Sequence, residues 1–260
     1  MRFFIIGDIV GRPARKLLKN ILGDIIEENK IDFVIANGEN ASGGTGLTYK
    51  NYQELISYGI DVITMGNHVW DKKEIFQYID EENKIIRPAN YPSPCPGRGY
   101  TILNKNNINI GIINLSGRVF LSSLDSPFET FEKNYNTLKK EADIIILDFH
   151  AEATAEKIAM GWFVDGRISL IYGTHTHVQT ADEKIFPQGT GYITDVGMTG
   201  PYYSVLGVDK DIILKKFTTQ RPIRHKLADG SVQLNGLITD INEKSGKCIY
   251  LERYFKKYEL

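Results

Sequence analysis

The sequence predicts an α/β layered fold with mixed sheets, and three observations carry that expectation. Short apolar runs alternate with segments of helical periodicity through the first two thirds of the chain. The remainder is rich in strand-forming residues and reads as antiparallel. No internal repeat, low-complexity linker or shift in composition divides the 260 residues, so one domain over 1–260 is expected.

In chain order, 2–7 is a short apolar strand that runs into the turn Gly7-Asp8-Ile9-Val10-Gly11. Pro13 suits the first turn of a helix, and Leu17, Leu18, Ile21, Leu22, Ile25 and Ile26 continue it at helical spacing. The next strand, 31–36, ends in Asn37-Gly38-Glu39-Asn40, and a glycine-rich segment over 41–46 leads to a helix over 49–58. A third strand, 61–64, ends in Met65-Gly66-Asn67-His68, after which Asp71 reads as the N-cap of another helix. Prolines forbid a continuous helix or central strand over 87–97. Then come a strand over 108–114, a helix over 128–140, an apolar strand over 143–149 ending at His150, and a helix over 151–160. The run 168–171 reads as a buried strand opening onto Tyr172-Gly173-Thr174-His175-Thr176-His177. Short strands follow near 184–186 and 191–194, 208–217 fits either strand or helix, and 232–241 and 247–253 read as antiparallel strands.

Composition narrows the function. The chain is 42% hydrophobic and 24% charged with a formal net charge of -1, an ordinary globular balance without the basic excess that duplex nucleic acid requires. Cys95 and Cys248 stand far apart without C-x-x-C spacing, so neither a disulfide framework nor a zinc knuckle is expected. No apolar stretch approaches the roughly 20 residues needed to cross a bilayer, and the apolar start is too short for a signal core. A soluble, cytoplasmic protein with no membrane partner is the expectation.

Polar residues collect where strands end. Asp8, Glu39-Asn40, Asn67-His68, His150 and His175-Thr-His177 each close an apolar run, and of the five histidines only His225 lies elsewhere. Ligands of open α/β sheets bind outside the carboxyl ends of strands. In extended backbone, residues i and i+2 share a face, so His175 and His177 are expected to converge. Carboxylates, amide oxygens and imidazoles without a thiolate suit borderline first-row metals. Six or seven such donors are too many for one tetrahedral ion and fit two ions sharing a bridging carboxylate, about 3.5–4 Å apart, the recurrent device for displacement at phosphorus. Each residue alone has a plainer reading: Asp8 a helix cap, Glu39 a solvated loop carboxylate, Asn40 and Asn67 turn residues, His68 a structural hydrogen-bonder, His150 a satisfied core histidine. Taken as a set they point to metal.

The order Asp…Gly-Glu…Gly-Asn-His…His…Gly-x-His-x-His resembles the calcineurin-like metallophosphoesterases, and within them the bacterial YmdB-type branch, which has Gly-Glu-Asn where most relatives have Gly-Asp. The resemblance covers the whole chain, including 7–11, 36–41 and Thr194-Asp195-Val196-Gly197-Met198-Thr199-Gly200. It implies a layered α/β/β/α sandwich of two mixed β-sheets flanked by helices. Most of that superfamily opens with Asp-x-His, whereas Val10 stands at the histidine position here, and Asn40 is the substitute. The resemblance then implies one ion on Asp8, Glu39, Asn40 and His177, and another on Glu39, Asn67, His150 and His175. Iron or manganese would fill the pair, with zinc the alternative.

The expected reaction is in-line attack on a phosphodiester by a hydroxide bridging the ions, with His68 as general acid. Two divalent ions less Asp8, Glu39 and the hydroxide leave a charge of about +1, which a diester monoanion neutralises. The resemblance implies a small phosphodiester substrate, 2',3'-cyclic nucleotides. A phosphomonoesterase or protein phosphatase on the same site is the alternative, as is a metal-binding regulatory protein acting through partners, and a homo-oligomer stays open. Neither the P-loop nor the dinucleotide glycine pattern is present. Tyr91, Tyr202 and Tyr203 could stack on a base or simply pack, and Arg87, Arg98 and Arg118 could hold a second phosphate or form surface ion pairs. Ser42 lacks an orienting base, and His225, among Arg221, Arg224 and Lys226, reads as solvated.

Overall fold

Side chains alternate across a strand, and Arg2–Ile6 uses that alternation to feed two cores. In the computed structural model, which describes residues 1–259, Phe4 and Ile6 enter one buried cluster while Phe3 and Ile5 enter another. The first cluster receives Leu17, Leu18 and Leu22 of helix Gly11–Glu28 with Tyr52 and Leu55 of helix Tyr49–Ser57. The second is shared with a facing sheet through Ile110, Ile112, Ile144, Ile146, Leu170 and Tyr172. Beyond that sheet, Leu147 and Phe149 meet Phe131 and Leu138 of helix Pro127–Glu141 and Met160 and Val164 of helix Thr154–Val164. The layers therefore run helix, sheet, sheet, helix, the α/β/β/α sandwich that the motif order implied.

One sheet runs Asp8–Ile9, Met198–Pro201, Val232–Ile241, Arg2–Ile6, Phe33–Asn37, Val62–Thr64, Ile85–Ile86, with Cys248–Tyr258 also paired to Val232–Ile241. The other runs Lys184–Ile185, Gly191–Ile193, Leu170–Thr174, Ile144–His150, Ile108–Ser116, Tyr100–Lys105. Both are mixed: Arg2–Ile6 is parallel to Phe33–Asn37 and antiparallel to Val232–Ile241, and Ile108–Ser116 is antiparallel to Tyr100–Lys105 and parallel to Ile144–His150.

Several local expectations change. Asp71 caps no helix: the segment after it is a 3-10 turn, Lys73–Gln77, and the Asp71 carboxylate turns back to His68. The ambiguous stretch 208–217 is helix Lys210–Thr219, because Asp209 Oδ1 accepts from the amides of Asp211 and Ile212 at 3.0 and 3.1 Å. The helix expected from 151 begins at Thr154, and the final strand extends to Tyr258 along almost the whole of its partner. Ile85–Ile86, Tyr100–Lys105 and Met198–Pro201 were not anticipated. The last contains glycine and proline and is extended because Asp8–Ile9 and Val232–Ile241 flank it. No helix among the described residues is long and apolar enough to cross a membrane.

Candidate metal centre

His150 is the last residue of its strand and is fully buried. Its Nε2 lies 3.0 Å from Glu39 Oε1, 3.0 Å from Asn67 Oδ1 and 3.1 Å from His175 Nδ1. One ring N–H cannot serve three partners. Spacings of this size are those of adjacent donors around an ion bound at roughly 2.1 Å to each. The opposite nitrogen fixes the ring: Nδ1 is 2.8 Å from Thr174 Oγ1, which itself donates to Asp148 Oδ1 at 2.7 Å. Because the Thr174 proton is committed to Asp148, the hydroxyl accepts from Nδ1–H, and the neutral ring presents the Nε2 lone pair to the centre. Thr64 donates to the second Asp148 oxygen and completes that support.

The two histidines of the His-x-His step do not converge by strand alternation. Strand Leu170–Thr174 has already ended, and His175 and His177 have φ of 96° and 65°, both in the left-handed region. Such non-glycine conformations cost about 1–3 kcal/mol each and need surrounding support. Asp195 provides it. Its buried Oδ2 accepts from Thr176 N at 3.1 Å, from Thr176 Oγ1 at 2.6 Å and from Lys157 Nζ at 2.7 Å, while Lys157 also donates to Thr174 O at 2.9 Å. Gly173 lets this loop seat closely, since a Cβ there would sit 1.8 Å from Thr194 O. His175 Nε2 faces Glu152 at 3.1 Å.

The other half of the site is more open. His177 Nε2 lies 3.3 Å from Asn40 Oδ1 and 4.0 Å from Asp8 Oδ1. Asn40 Nδ2 donates to Gly44 O at 2.9 Å, which fixes the amide with its oxygen toward His177. Asp8 Oδ2 accepts from His175 N at 3.2 Å, whereas Oδ1 is buried with no hydrogen-bond partner among the described residues. A buried carboxylate oxygen without a donor is costly, and a cation facing it removes that cost. Gly66 keeps the space beside His150 and Glu39 clear: a Cβ there would lie 2.3 Å from His150 Nε2 and 2.5 Å from Glu39 Oε2. The orphaned oxygen, the clearance at Gly66 and a donor set of nitrogen and oxygen all fit bound metal ions.

Charge tells the same story. Burial pushes the Asp8 carboxyl well above the usual carboxylate range, with Asp195 and Glu39 adding repulsion against the pull of His150. Burial would raise Glu39 too, but His150 and His68 outweigh it and hold Glu39 at about 2. Burial lowers His150, and Glu39, Asp8 and Asp148 more than reverse this, raising it to about 9. His175 falls to about 3 through burial and the proximity of His150, and burial also lowers His177. Without metal, a proton on His150 supplies the positive charge that the carboxylates demand. That proton stabilises the metal-free fold below the ordinary histidine value of 6.5, and the contribution is lost as pH rises through about 9. A metal must displace it. The affinity of the metal-free chain for manganese is therefore expected to rise about tenfold per pH unit from 6.5 toward 9, one proton being released per ion at this position. Calorimetric titrations in buffers of different ionisation enthalpy measure that release, and a pH-independent affinity would contradict the charge balance.

His68 sits on the rim. Its backbone N–H donates to Glu39 Oε2 at 2.9 Å, and its half-exposed ring holds Nδ1 3.0 Å from Asp71 Oδ2. All eight residues singled out from sequence, Asp8, Glu39, Asn40, Asn67, His68, His150, His175 and His177, are thus linked by contacts of 4.0 Å or less. Ser42 is spent on Thr48 N and Asn51 Nδ2, and buried Arg87 donates to the carbonyls of Pro88, Cys95 and Pro96, pinning the proline loop rather than forming the surface ion pair expected of it. His225 is exposed. Sequence reasoning missed Asp71, Asp148, Glu152, Lys157, Thr174 and Asp195 as supporting groups. Asp195 lies within a stretch already marked by resemblance, Thr174 within the run that carries the two histidines, and Asp71 reads from sequence as a helix cap, whereas Asp148, Glu152 and Lys157 carry no separable signal.

Comparison with known proteins agrees with the motif order. Residues 4–254 match the family model described as YmdB-like protein. A Bacillus subtilis (strain 168) protein named 2',3'-cyclic-nucleotide 2'-phosphodiesterase is 49% identical over 253 residues, covering 97% of this chain and 96% of its own. The crystal structure of a Mycoplasma pneumoniae protein described as a novel phosphatase superposes with a TM-score of 0.93 at 34% identity, covering 100% of this chain and 94% of that one. That of a Thermus thermophilus protein described as hypothetical gives 0.93 at 36% identity, covering 99% of both. With its length matched from end to end and its strand-end motifs gathered at one rim, the chain belongs to the YmdB-like family.

Proposed function

We propose that this chain is a metal-dependent phosphoric diester hydrolase whose substrates are 2',3'-cyclic nucleotides. The observation that carries the reading is the meeting of Glu39, Asn67 and His175 at about 3 Å on the one atom His150 Nε2, beside His68. Glu39, Asn67, His150 and His175 would hold one ion, and Asp8, Glu39, Asn40 and His177 a second. Iron or manganese suits these donors, and zinc is compatible. Bound there, the pair supplies Lewis acidity at the phosphoryl oxygens and an acidified water as nucleophile.

The remaining work falls to side chains. Asp71 engages Nδ1 of His68, so Nε2 is the nitrogen free to pass a proton to the leaving oxygen. In a five-membered cyclic diester that oxygen stays tethered through the sugar. Thr174 and Asp148 keep the His150 lone pair aimed inward, and Asp195 with Lys157 holds the His175–His177 loop in its strained form. Because donors come from both sheets, the chain works as one domain. The free thiols Cys95 and Cys248 fit a reducing cytoplasm.

Phosphomonoester hydrolysis is the second reading, favoured by the description of the Mycoplasma pneumoniae relative as a phosphatase. Elemental analysis of the purified chain with parallel assays on 2',3'-cyclic AMP and p-nitrophenyl phosphate separates them. We expect a pair of first-row ions per chain and a clear preference for the cyclic diester, lost on chelation and restored by manganese. Preference for the monoester would establish the second reading, and metal-independent turnover would overturn both.

A further inference from the structure

A cavity of 360 Å³ is lined by His177 together with Gln179, Tyr202, Leu206, Gln233 and Phe255. We infer that it is the nucleobase subsite of the enzyme, taking the base of a nucleotide whose phosphate lies at the metal centre; the inference rests on the diesterase reading and deepens it.

Continuity comes first. His177 belongs to both places, since its Nε2 lies 3.3 Å from Asn40 Oδ1 and its side chain lines the cavity. A ligand anchored at the strand ends has this recess as its neighbour. The lining has no aspartate, glutamate, lysine or arginine, and the adjoining Lys257, 5.1 Å from the Tyr202 ring centre, is already paired with Glu259 at 2.8 Å, which suits a neutral ring better than a second phosphate.

Flat apolar surface comes second. Tyr202 and Phe255 remain 36% and 56% exposed, their ring centres 6.4 Å apart and inclined at 44°, an open wedge rather than a closed stack. Tyr203 braces Tyr202 edge-on at 4.9 Å and 83°. Every nucleobase has a face that such rings can stack upon.

The polar edge comes third. Gln179 Nε2 donates to Gly236 O at 2.9 Å and Tyr254 O at 3.3 Å, so its amide is clamped between the two final strands. Its Oε1 accepts no hydrogen bond among the described residues and forms a fixed acceptor for an exocyclic amine or ring N–H. The Gln233 side-chain amide likewise has no partner there and offers a donor as well as an acceptor. Aromatic faces with a few amide groups at their edge match a base and leave a lipid or a simple anion poorly served.

The test uses two substrates with the same strained ring, 2',3'-cyclic AMP and the base-free glycerol 1,2-cyclic phosphate, with the metal-loaded full chain. Tyr202→Ala and Gln233→Ala are each expected to lower kcat/KM for the nucleotide about 10- to 100-fold, chiefly through KM, in line with the loss of one base contact. The glycerol diester should change less than about twofold under the same substitutions. Tyr202→Phe, which keeps the ring, should stay near wild type on both and guards against a folding artefact. In saturation-transfer NMR on the metal-free chain, adenosine should receive saturation at adenine H2 and H8, and Tyr202→Ala should abolish it. Equal losses on both substrates, no loss on either, or no transfer to adenosine would overturn the subsite. Wild-type chain that hydrolyses the two diesters with equal efficiency would overturn it while leaving the diesterase reading intact. Wild-type chain inert toward both would remove that reading and the subsite together.

Discussion

Glu39→Ala is expected to empty the metal centre and end diester hydrolysis while leaving a folded chain. Glu39 is fully enclosed, with one oxygen 3.0 Å from His150 Nε2 and the other accepting the His68 amide. No other carboxylate among the described residues meets both the His150 cluster and the His68 loop. Its removal takes away a donor and the negative charge that draws a cation into a buried place. Metal affinity should fall by more than the 10- to 100-fold typical when a group that merely orients a ligand is lost, so about 10³-fold is the expected floor. His150, having lost the largest of the three charges that raise it, should titrate lower and sit closer to a neutral buried imidazole, which is why the fold survives. Elemental analysis beside circular dichroism decides the matter. A full metal complement in Glu39→Ala would exclude this carboxylate as a bridge.

His68→Ala should behave oppositely, keeping its metal and losing turnover by about 10²–10⁴-fold, the range of a missing general acid. The contact between residue 68 and Glu39 is made by the backbone amide, which alanine retains. What disappears is a rim imidazole whose Nδ1 is engaged by Asp71. The loss should fall on kcat, with KM little altered, because proton delivery matters only once the P–O bond is breaking. Asp71→Asn should give a smaller loss of the same kind, since the ring keeps a partner but a neutral one. Turnover unchanged in His68→Ala would remove this residue from the chemistry, and depleted metal would recast it as a ligand.

Much of the fold and the gathering of polar side chains was legible because both follow short-range rules. Alternation and helical spacing mark the layers, and Asp8, Glu39, Asn67 and His150 stand where a strand runs out of apolar residues. What escaped depends on distant parts of the chain. The residues Met198–Pro201 form a strand only because two other strands flank them. Lys157 on a helix reads as a solvated cation, yet it is buried against Asp195, 38 residues away. Asp71 reads as a cap because aspartate before a helical pattern usually is one, and a histidine three residues earlier took it instead. The convergence of His175 and His177 was anticipated on faulty grounds: the backbone reverses in left-handed geometry imposed by Asp195 contacts, not by extended alternation.

The central place of Arg2–Ile6, wedged between Phe33–Asn37 and Val232–Ile241, has a consequence for biosynthesis. The strand that carries Asp8 to the rim waits for a partner that lies at the far end of the chain, and the Met1 amine itself donates to Ile241 O across 240 positions. Such distant pairings close slowly. Residues 232–241 must therefore be synthesised before Arg2–Ile6 gains both neighbours, and the rim to which that strand leads Asp8 takes shape only then.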